Sequence, residues 1–264
     1  MEEKYPPFVK YERIPHLDEV PHILDRDVFV FEKLDGGNVQ VRKHKGRILA
    51  GNRSNYLSDK FVKSREHIPE CRWFGDFLRW AMGNYSLLNI QENFVVFGEW
   101  LAKHALDYDL KNKDKFYVLD ILDLNTGNFV FCNRIENLLR GVGVRDVKFL
   151  RPLFKGKINK DKLEKLVDKS DYRNGKSEGV VIKDYNAQEF AKLWEKTINR
   201  KKRTLSYEDV RRAIMTMAEL DLTITRDNVF NEIKLDLDRQ KIHYSDGELR
   251  KIVNRYFDNP SSLH

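Results

Sequence analysis

The sequence predicts an α+β chain, with antiparallel sheets flanked by helices over most of its length and a small all-helical domain at the C-terminus. Three observations lead there. β-Branched and aromatic runs punctuated by Gly, Asn or Asp recur between Phe8 and Trp194. Only a few stretches among them space their apolar residues as a helix does. After Trp194 the style changes to capped amphipathic segments. The change places a boundary between residues 1–198 and 199–264.

The strands come first. "VFVFEKL" is apolar without alternation, as a strand covered on both faces reads. It ends at Lys33, and Asp35-Gly36-Gly37 then reads as a tight turn. "NVQVRKHKGRILAG" alternates and pivots at His44-Lys45-Gly46, the pattern of a hairpin. "FVVFGEW", "KFYVLDILDL", "NFVFCN" and "GVVIKDY" supply further strands. Trp73, Phe74, Phe77, Leu78 and Trp80 predict an amphipathic helix that stops near Gly83, and "DKLEKLVDKS" predicts a shorter one. In the C-terminal part, Ser206 and Asp209 form an approximate capping box. "TRDNVFNEIKLDLDRQ" and "SDGELRKIVNRYFDN" repeat the pattern, giving three helices from Ser206 to Phe257 that are expected to pack on one another. The joining cluster Arg200-Lys201-Lys202-Arg203 reads equally as a phosphate contact or a solvated linker.

Composition narrows the function classes. The chain has 264 residues, enough for a sizeable core. No apolar run approaches the roughly 18 residues that span a bilayer, so no membrane partner is expected. The start, "MEEKYPPFVKYER", is charged and lacks the apolar segment of a signal peptide, which predicts a cytoplasmic protein, or a nuclear one if the source has a nucleus. Cys71 and Cys132 form no C-x-x-C pair and read as free thiols, and no zinc spacing is present. The formal charge of +7 favours anionic partners such as nucleotides or nucleic acid.

Lys33 is the informative residue. A lysine amine at the end of an apolar strand either snorkels to solvent or serves as a nucleophile. An unperturbed lysine titrates near pH ~10.4, so nucleophilic use requires burial or nearby cations to favour the free amine. Attack on the α-phosphate of a nucleoside triphosphate suits such a group. That reaction also needs cations for the phosphates, carboxylates around a divalent metal and a surface for the base. No G-x-x-x-x-G-K-[ST] loop is present, so side chains must hold the phosphates. Arg53, Glu99, Glu178 and Lys183 follow in order beside strand-like runs, and "FAKLWEK" adds Lys192. If a strand begins at Glu178, its side chain points with Val180 and Ile182, and Val181 and Lys183 point the other way.

The ordered set Glu32-Lys33-Leu34-Asp35-Gly36, Arg53, Phe97-Gly98-Glu99, "FYVLDILD", Glu178-Gly179-Val180-Val181-Ile182-Lys183 and Lys192 resembles the covalent nucleotidyltransferase superfamily. Within it the chain looks most like phage-type, ATP-dependent RNA ligases, with "FGEWLAKHALDYDLKNKDKFYVLDILD" as the telling stretch. The resemblance covers roughly residues 10 to 195. It implies a nucleotidyltransferase (ATP-grasp-like) fold for residues 1–198 and ATP as cofactor, with AMP attached covalently to Lys33. It also implies a divalent metal, Mg2+ or Mn2+, near Glu99 and Glu178. The partners implied are RNA ends, a 5′-phosphate and a 3′-hydroxyl.

By the same resemblance, Glu32 meets the adenine edge, and Leu34 and Gly36 flank the nucleotide. Asp35, Glu99 and Glu178 organise the metal and its waters or hold the ribose. Arg53 contacts the phosphates or the incoming 5′ end. Lys183 and Lys192 neutralise phosphate charge and depress the pKa of Lys33 by like-charge repulsion.

Two positions depart from the family pattern. Leu119 stands where an aromatic often stacks on adenine, so either Leu119 or Tyr117 packs on the base. Where two lysines are usual, Lys192 is followed by Trp194, and Lys196 or Trp194 takes the second role. The helical tail favours an RNA ligase over a DNA ligase or capping enzyme, which would carry a five-stranded barrel there. A non-catalytic end-binding module has no need of the lysine and its carboxylates. Oligomeric state stays open.

Overall fold

The structure is a computed structural model that describes residues 5–63, 73–101, 106, 108–109, 111–194, 210–211, 213–214, 217, 224–240 and 246–258. The chain divides into two compact units, residues 1–196 and 197–264. In chain order the first unit contains β1 (Val28–Glu32), β2 (Gly37–His44), β3 (Arg47–Asn52), α1 (Asp59–Lys63), α2 (Trp73–Gly83), β4 (Phe94–Trp100) and β5 (Phe116–Asp123). It continues with β6 (Asn128–Phe129), α3 (Cys132–Gly141), β7 (Val147–Phe149), β8 (Phe154–Gly156), α4 (Lys160–Val167), β9 (Gly179–Asp184) and β10 (Glu189–Trp194). The strands form two sheets, one in the order β10-β9-β1-β8 and the other in the order β3-β2-β4-β5-β6, with β7 also on β5. All pairings are antiparallel except β5 with β7.

Alternation decides which face of the first sheet meets which core. Val28 and Val30 of β1, Val180 and Ile182 of β9, and Ala191 and Leu193 of β10 bury together against α4 and the N-terminal turns. The opposite face carries two cross-strand rows. Phe31 pairs with Val181 and Val181 with Lys192; Phe29 pairs with Lys183 and Lys183 with Phe190. This face looks toward the second sheet, whose Phe129 ring lies 5.1 Å from that of Phe190. The other face of the second sheet packs Val39, Val41, Val96 and Phe116 against Phe77 and Ala81 of α2.

The expected hairpin at Lys45-Gly46 is present: His44 pairs with Arg47, and both turn residues have positive φ (48° and 72°), as a type I′ turn requires. The reading of Asp35-Gly36-Gly37 as a hairpin turn is corrected. β1 and β2 lie in different sheets, and neither glycine has positive φ. The glycines are there for close approach. A Cβ on Gly36 would sit 2.4 Å from the Trp100 carbonyl oxygen, and one on Gly37 would sit 2.3 Å from the Trp73 ring.

α3 replaces part of the strand read into "NFVFCN". β6 ends at Phe129 and Cys132 already opens the helix. Ile135 and Leu139 of α3 are buried one helical turn apart.

In the second unit, α5 (Arg226–Gln240) and α6 (Asp246–Asp258) bury Val229, Phe230 and Ile233 against Leu249 and Val253. Val210, Ala213 and Met217 of the first expected helix join that cluster. Arg226 pairs with Asp258 at 2.6 Å and Lys234 with Asp246 at 2.9 Å, so the two helices run antiparallel. Lys196, the Arg200–Arg203 cluster, Ser206 and Cys71 lie outside the described residues. Among the described residues no helix is long and apolar enough to cross a membrane.

Candidate active site

The site forms where β1 leaves the first sheet and crosses to the second. Lys33 follows Glu32, the last residue of β1, and donates its backbone N–H to Gly179 O at 2.9 Å. Being two residues beyond Phe31, it lies on the face that carries Val181 and Lys192. Its ammonium is held by the Glu178 carboxylate, and the two side chains are 19% and 9% exposed. The condition for Glu178 to point with Val180 and Ile182, a strand starting at Glu178, is not met: β9 begins at Gly179, and the Glu178 carboxylate bonds Lys33.

Glu99 comes from β4, level with Asn38 on β2 and Tyr117 on β5. It accepts the Gly36 N–H at 3.1 Å, which ties the crossing segment to the second sheet. Asp35 accepts the Leu106 N–H at 2.8 Å, and the Asp35 N–H donates to Tyr108 Oη at 2.6 Å.

One cleft gathers most of the expected residues: Glu32, Lys33, Leu34, Arg53, Glu99, Leu119, Lys183 and Lys192 line it. Tyr11, Asn38 and Val181 line it too, and sequence reasoning missed their part. Register identifies two of them, since Asn38 stands opposite Glu99 and Val181 stands between Phe31 and Lys192, and Tyr11 is placed by its bond to Asp120 and its contact with Phe97. Glu178 reaches the cleft through Lys33.

Some candidates are committed elsewhere. The Glu32 carboxylate accepts from Ser170 Oγ and, at 2.9 Å, from the Asp171 N–H. Lys183 is 3% exposed and donates to Asp120 at 2.6 Å and to Leu119 O at 3.0 Å. Tyr117 is not among the lining residues; its hydroxyl donates to Asn112 at 3.1 Å and its ring meets Tyr172 edge-on. Leu119 does form wall. Phe97 pairs with Asp120 and Gly98 with Val118, so Leu119 is the extra residue of a β-bulge.

The electrostatics invert one expectation. Burial pulls the Lys33 pKa down, but Glu178, Glu99 and Asp35 together raise it above the usual lysine value. The positive neighbours therefore do not render Lys33 neutral. Lys192 is the depressed lysine, brought to about 8 by burial first and then by Lys33, Arg13 and Arg53. Glu99 is raised to about 7, mainly by burial, with Glu178 and Asp35 adding to it and Lys33 and the Gly36 N–H opposing.

A divalent cation fits this arrangement only as a shared ligand. No cluster of three or more His, Cys, Asp or Glu side chains suited to a metal occurs among the described residues. Glu99 and Glu178 nevertheless supply hard carboxylate oxygens whose mutual repulsion, felt in the Glu99 pKa, a cation relieves. Magnesium held by one or two carboxylates together with substrate phosphates has this donor set.

The sequence profile of the RNA ligase family matches residues 26–217. Protein Early 65 kDa of Autographa californica nuclear polyhedrosis virus is 26% identical over 153 residues, covering 52% of this chain and 26% of the viral protein. Among solved structures, a mutant apo form of Naegleria gruberi RNA ligase superposes with TM-score 0.54 at 19% identity, over 72% of this chain and 57% of that one. A mutant of the same enzyme with ATP and Mn gives TM-score 0.54 at 18% identity, over 73% and 58%. The chain thus spans about a quarter of the viral relative and a little over half of the solved chains. At these identities the structural likeness establishes the fold, that of the RNA ligase nucleotidyltransferase unit.

Proposed function

The chain belongs to the RNA ligase family, and from that premise we propose that it is an ATP-dependent RNA ligase joining 5′-phosphate and 3′-hydroxyl ends. The observation that carries this reading is the pairing of Lys33 with Glu178 in a cleft shared with Glu99, Lys192 and Arg53. A structural lysine needs one partner; this one has three acidic neighbours, Glu178, Glu99 and Asp35, and two cations suited to a phosphate chain.

In the first step the Lys33 Nζ forms a bond to the α-phosphorus of ATP. The bond from that phosphorus to the bridging oxygen breaks, and the electron pair leaves with pyrophosphate. Lys33 rests as an ammonium, so a proton must leave before attack, and Glu178 is the carboxylate already holding it. Glu99, raised to about 7, is the second acceptor within the site. Lys192 and Arg53, which line the same cleft, would receive the phosphate end. Leu119 and Val181 offer aliphatic walls for the base, a role proposed here for Leu119 rather than Tyr117. A divalent metal, when bound, supplies charge neutralisation at the phosphates, and Glu99 and Glu178 would hold it. AMP then passes to the RNA 5′-phosphate, and the 3′-hydroxyl displaces it. Residues 1–198 are proposed as the adenylyltransferase domain, with 199–264 as a helical accessory domain.

Labelling from ATP radioactive at the α-phosphate tests the reading. A denaturation-resistant label is expected on the wild type with magnesium, none on Lys33→Ala, and little from GTP. A label that persists on Lys33→Ala sinks the proposal. Better sealing of all-DNA nicks than of RNA ends overturns the substrate class.

A further inference from the structure

A second cleft of about 370 Å3 lies behind the first, in the range of small-ligand sites at ~300–1,000 Å3. The two share only Phe31, Leu119 and Leu150 as common wall. The void arises from three local features. β1 presents Phe29 and Phe31 on its inner face, the β5 bulge displaces Leu119, and α3 starts at Cys132 alongside.

Its chemistry is distinctive. Phe29, Phe31 and Phe149 give it aromatic walls, and Asn133 and Asn137 of α3 bring amides that both donate and accept. Cations stand over the rings: Lys155 lies 5.3 Å from the Phe29 centroid and Arg140 5.2 Å from that of Phe149. Glu136 is held between Arg140 at 2.9 Å and Arg151 at 3.0 Å, so two guanidinium groups share one carboxylate, and Arg151 and Glu136 both line the cleft.

We propose that this cleft receives an unstacked base of the RNA end being joined, which rests on the ligase reading above. Three observations select that occupant. Aromatic faces stack any base, and the amides can satisfy different base edges. Arg151 in the lining and Arg140 beside it outnumber the single Glu136 carboxylate they share, a net positive charge that suits a phosphate backbone better than an apolar peptide. Finally, the cleft adjoins the proposed nucleotide pocket, with Phe31, Leu119 and Leu150 lining both. Bases inside a duplex are stacked and cannot enter, so the occupant comes from a single-stranded or frayed end.

The test uses the full chain and a fluorescent, 5′-phosphorylated single-stranded RNA of ten nucleotides. Asn137 is exposed on α3 and lines the cleft, so Asn137→Trp is expected to keep the fold, checked by its melting temperature, and to add bulk at the mouth. Stacking is worth ~1–3 kcal/mol per base, so Asn137→Trp and Phe149→Ala should each weaken RNA binding about tenfold. Self-labelling by ATP should stay within about twofold of wild type. In a Cys71→Ser background the same RNA should slow alkylation of Cys132, which lines the cleft. Unchanged RNA affinity in Asn137→Trp, or alkylation of Cys132 indifferent to RNA, overturns the proposal. Absence of ATP labelling in the wild type would instead strike the ligase reading.

Discussion

Glu99 and Lys192 carry the pH behaviour of the site. A carboxyl raised from 4.5 to about 7 in the fold binds more protons folded than unfolded between those values. Its contribution to stability is therefore full below pH 4.5 and is lost as pH rises through about 7. Melting temperatures of Glu99→Gln and wild type should converge at low pH, and the wild type should fall relative to the variant as pH rises toward 7. Parallel curves would show that Glu99 does not titrate in this range. Lys192 loses its charge above about pH 8. Its proposed task is to neutralise phosphate, whereas Lys33 gains free amine as pH rises, so above that pH wild-type ATP self-labelling should fall behind that of a variant whose charge persists. Lys192→Arg should extend the rate to higher pH, because a guanidinium stays charged; superimposable pH profiles would dismiss Lys192 as a required cation. The sequence marks both residues, since each stands at a strand position in a recognisable order. It could not show which lysine is depressed, because that depends on three carboxylates from separate segments converging on Lys33.

Among the elements, the Lys33–Gly37 crossing is the most constrained. It carries Lys33, the proposed nucleophile, from one sheet to the other, and Glu99 fastens it through Gly36. Gly36→Ala places a methyl against the Trp100 carbonyl, which is backbone and yields little. Overpacking of that kind costs about 1–3 kcal/mol, to be read from urea unfolding. ATP labelling should drop more than tenfold, since the shift moves Lys33; wild-type labelling in a folded variant would refute this account. The motif was visible as letters, but its hairpin reading failed because Asp-Gly-Gly serves turns and close approaches equally well. α3 shows a different limit: aromatic Phe129 and Phe131 favour strand locally, yet packing of Ile135 and Leu139 ends the strand early.

At the scale of the whole unit, one buried group joins the two sheets. Asp120 of β5, with no exposure, accepts from Lys183 of β9 at 2.6 Å, from Tyr185 at 2.9 Å and from Tyr11 at 2.5 Å. Asp120→Ala would strand a buried ammonium, so a loss of about 3–5 kcal/mol is expected in denaturant titration. Asp120→Asn, which keeps an acceptor, should lose clearly less. A change below about 1 kcal/mol in the alanine variant would mean that the network does not hold the sheets together. Lys183, carried by sequence reasoning into the phosphate site, thus has its charge satisfied by this junction.

The sequence by itself determined the α+β class, the change of style after Trp194, the Lys45-Gly46 hairpin and the likeness to RNA ligases, because those follow from local periodicity, turn chemistry and an ordered motif. Tertiary structure alone decided that Glu178 turns toward Lys33, that Lys183 turns to Asp120, and that Leu119 rather than Tyr117 lines the cleft. Those outcomes depend on where a strand starts, on one bulge and on register between strands far apart in the chain, none of which a local run of residues encodes.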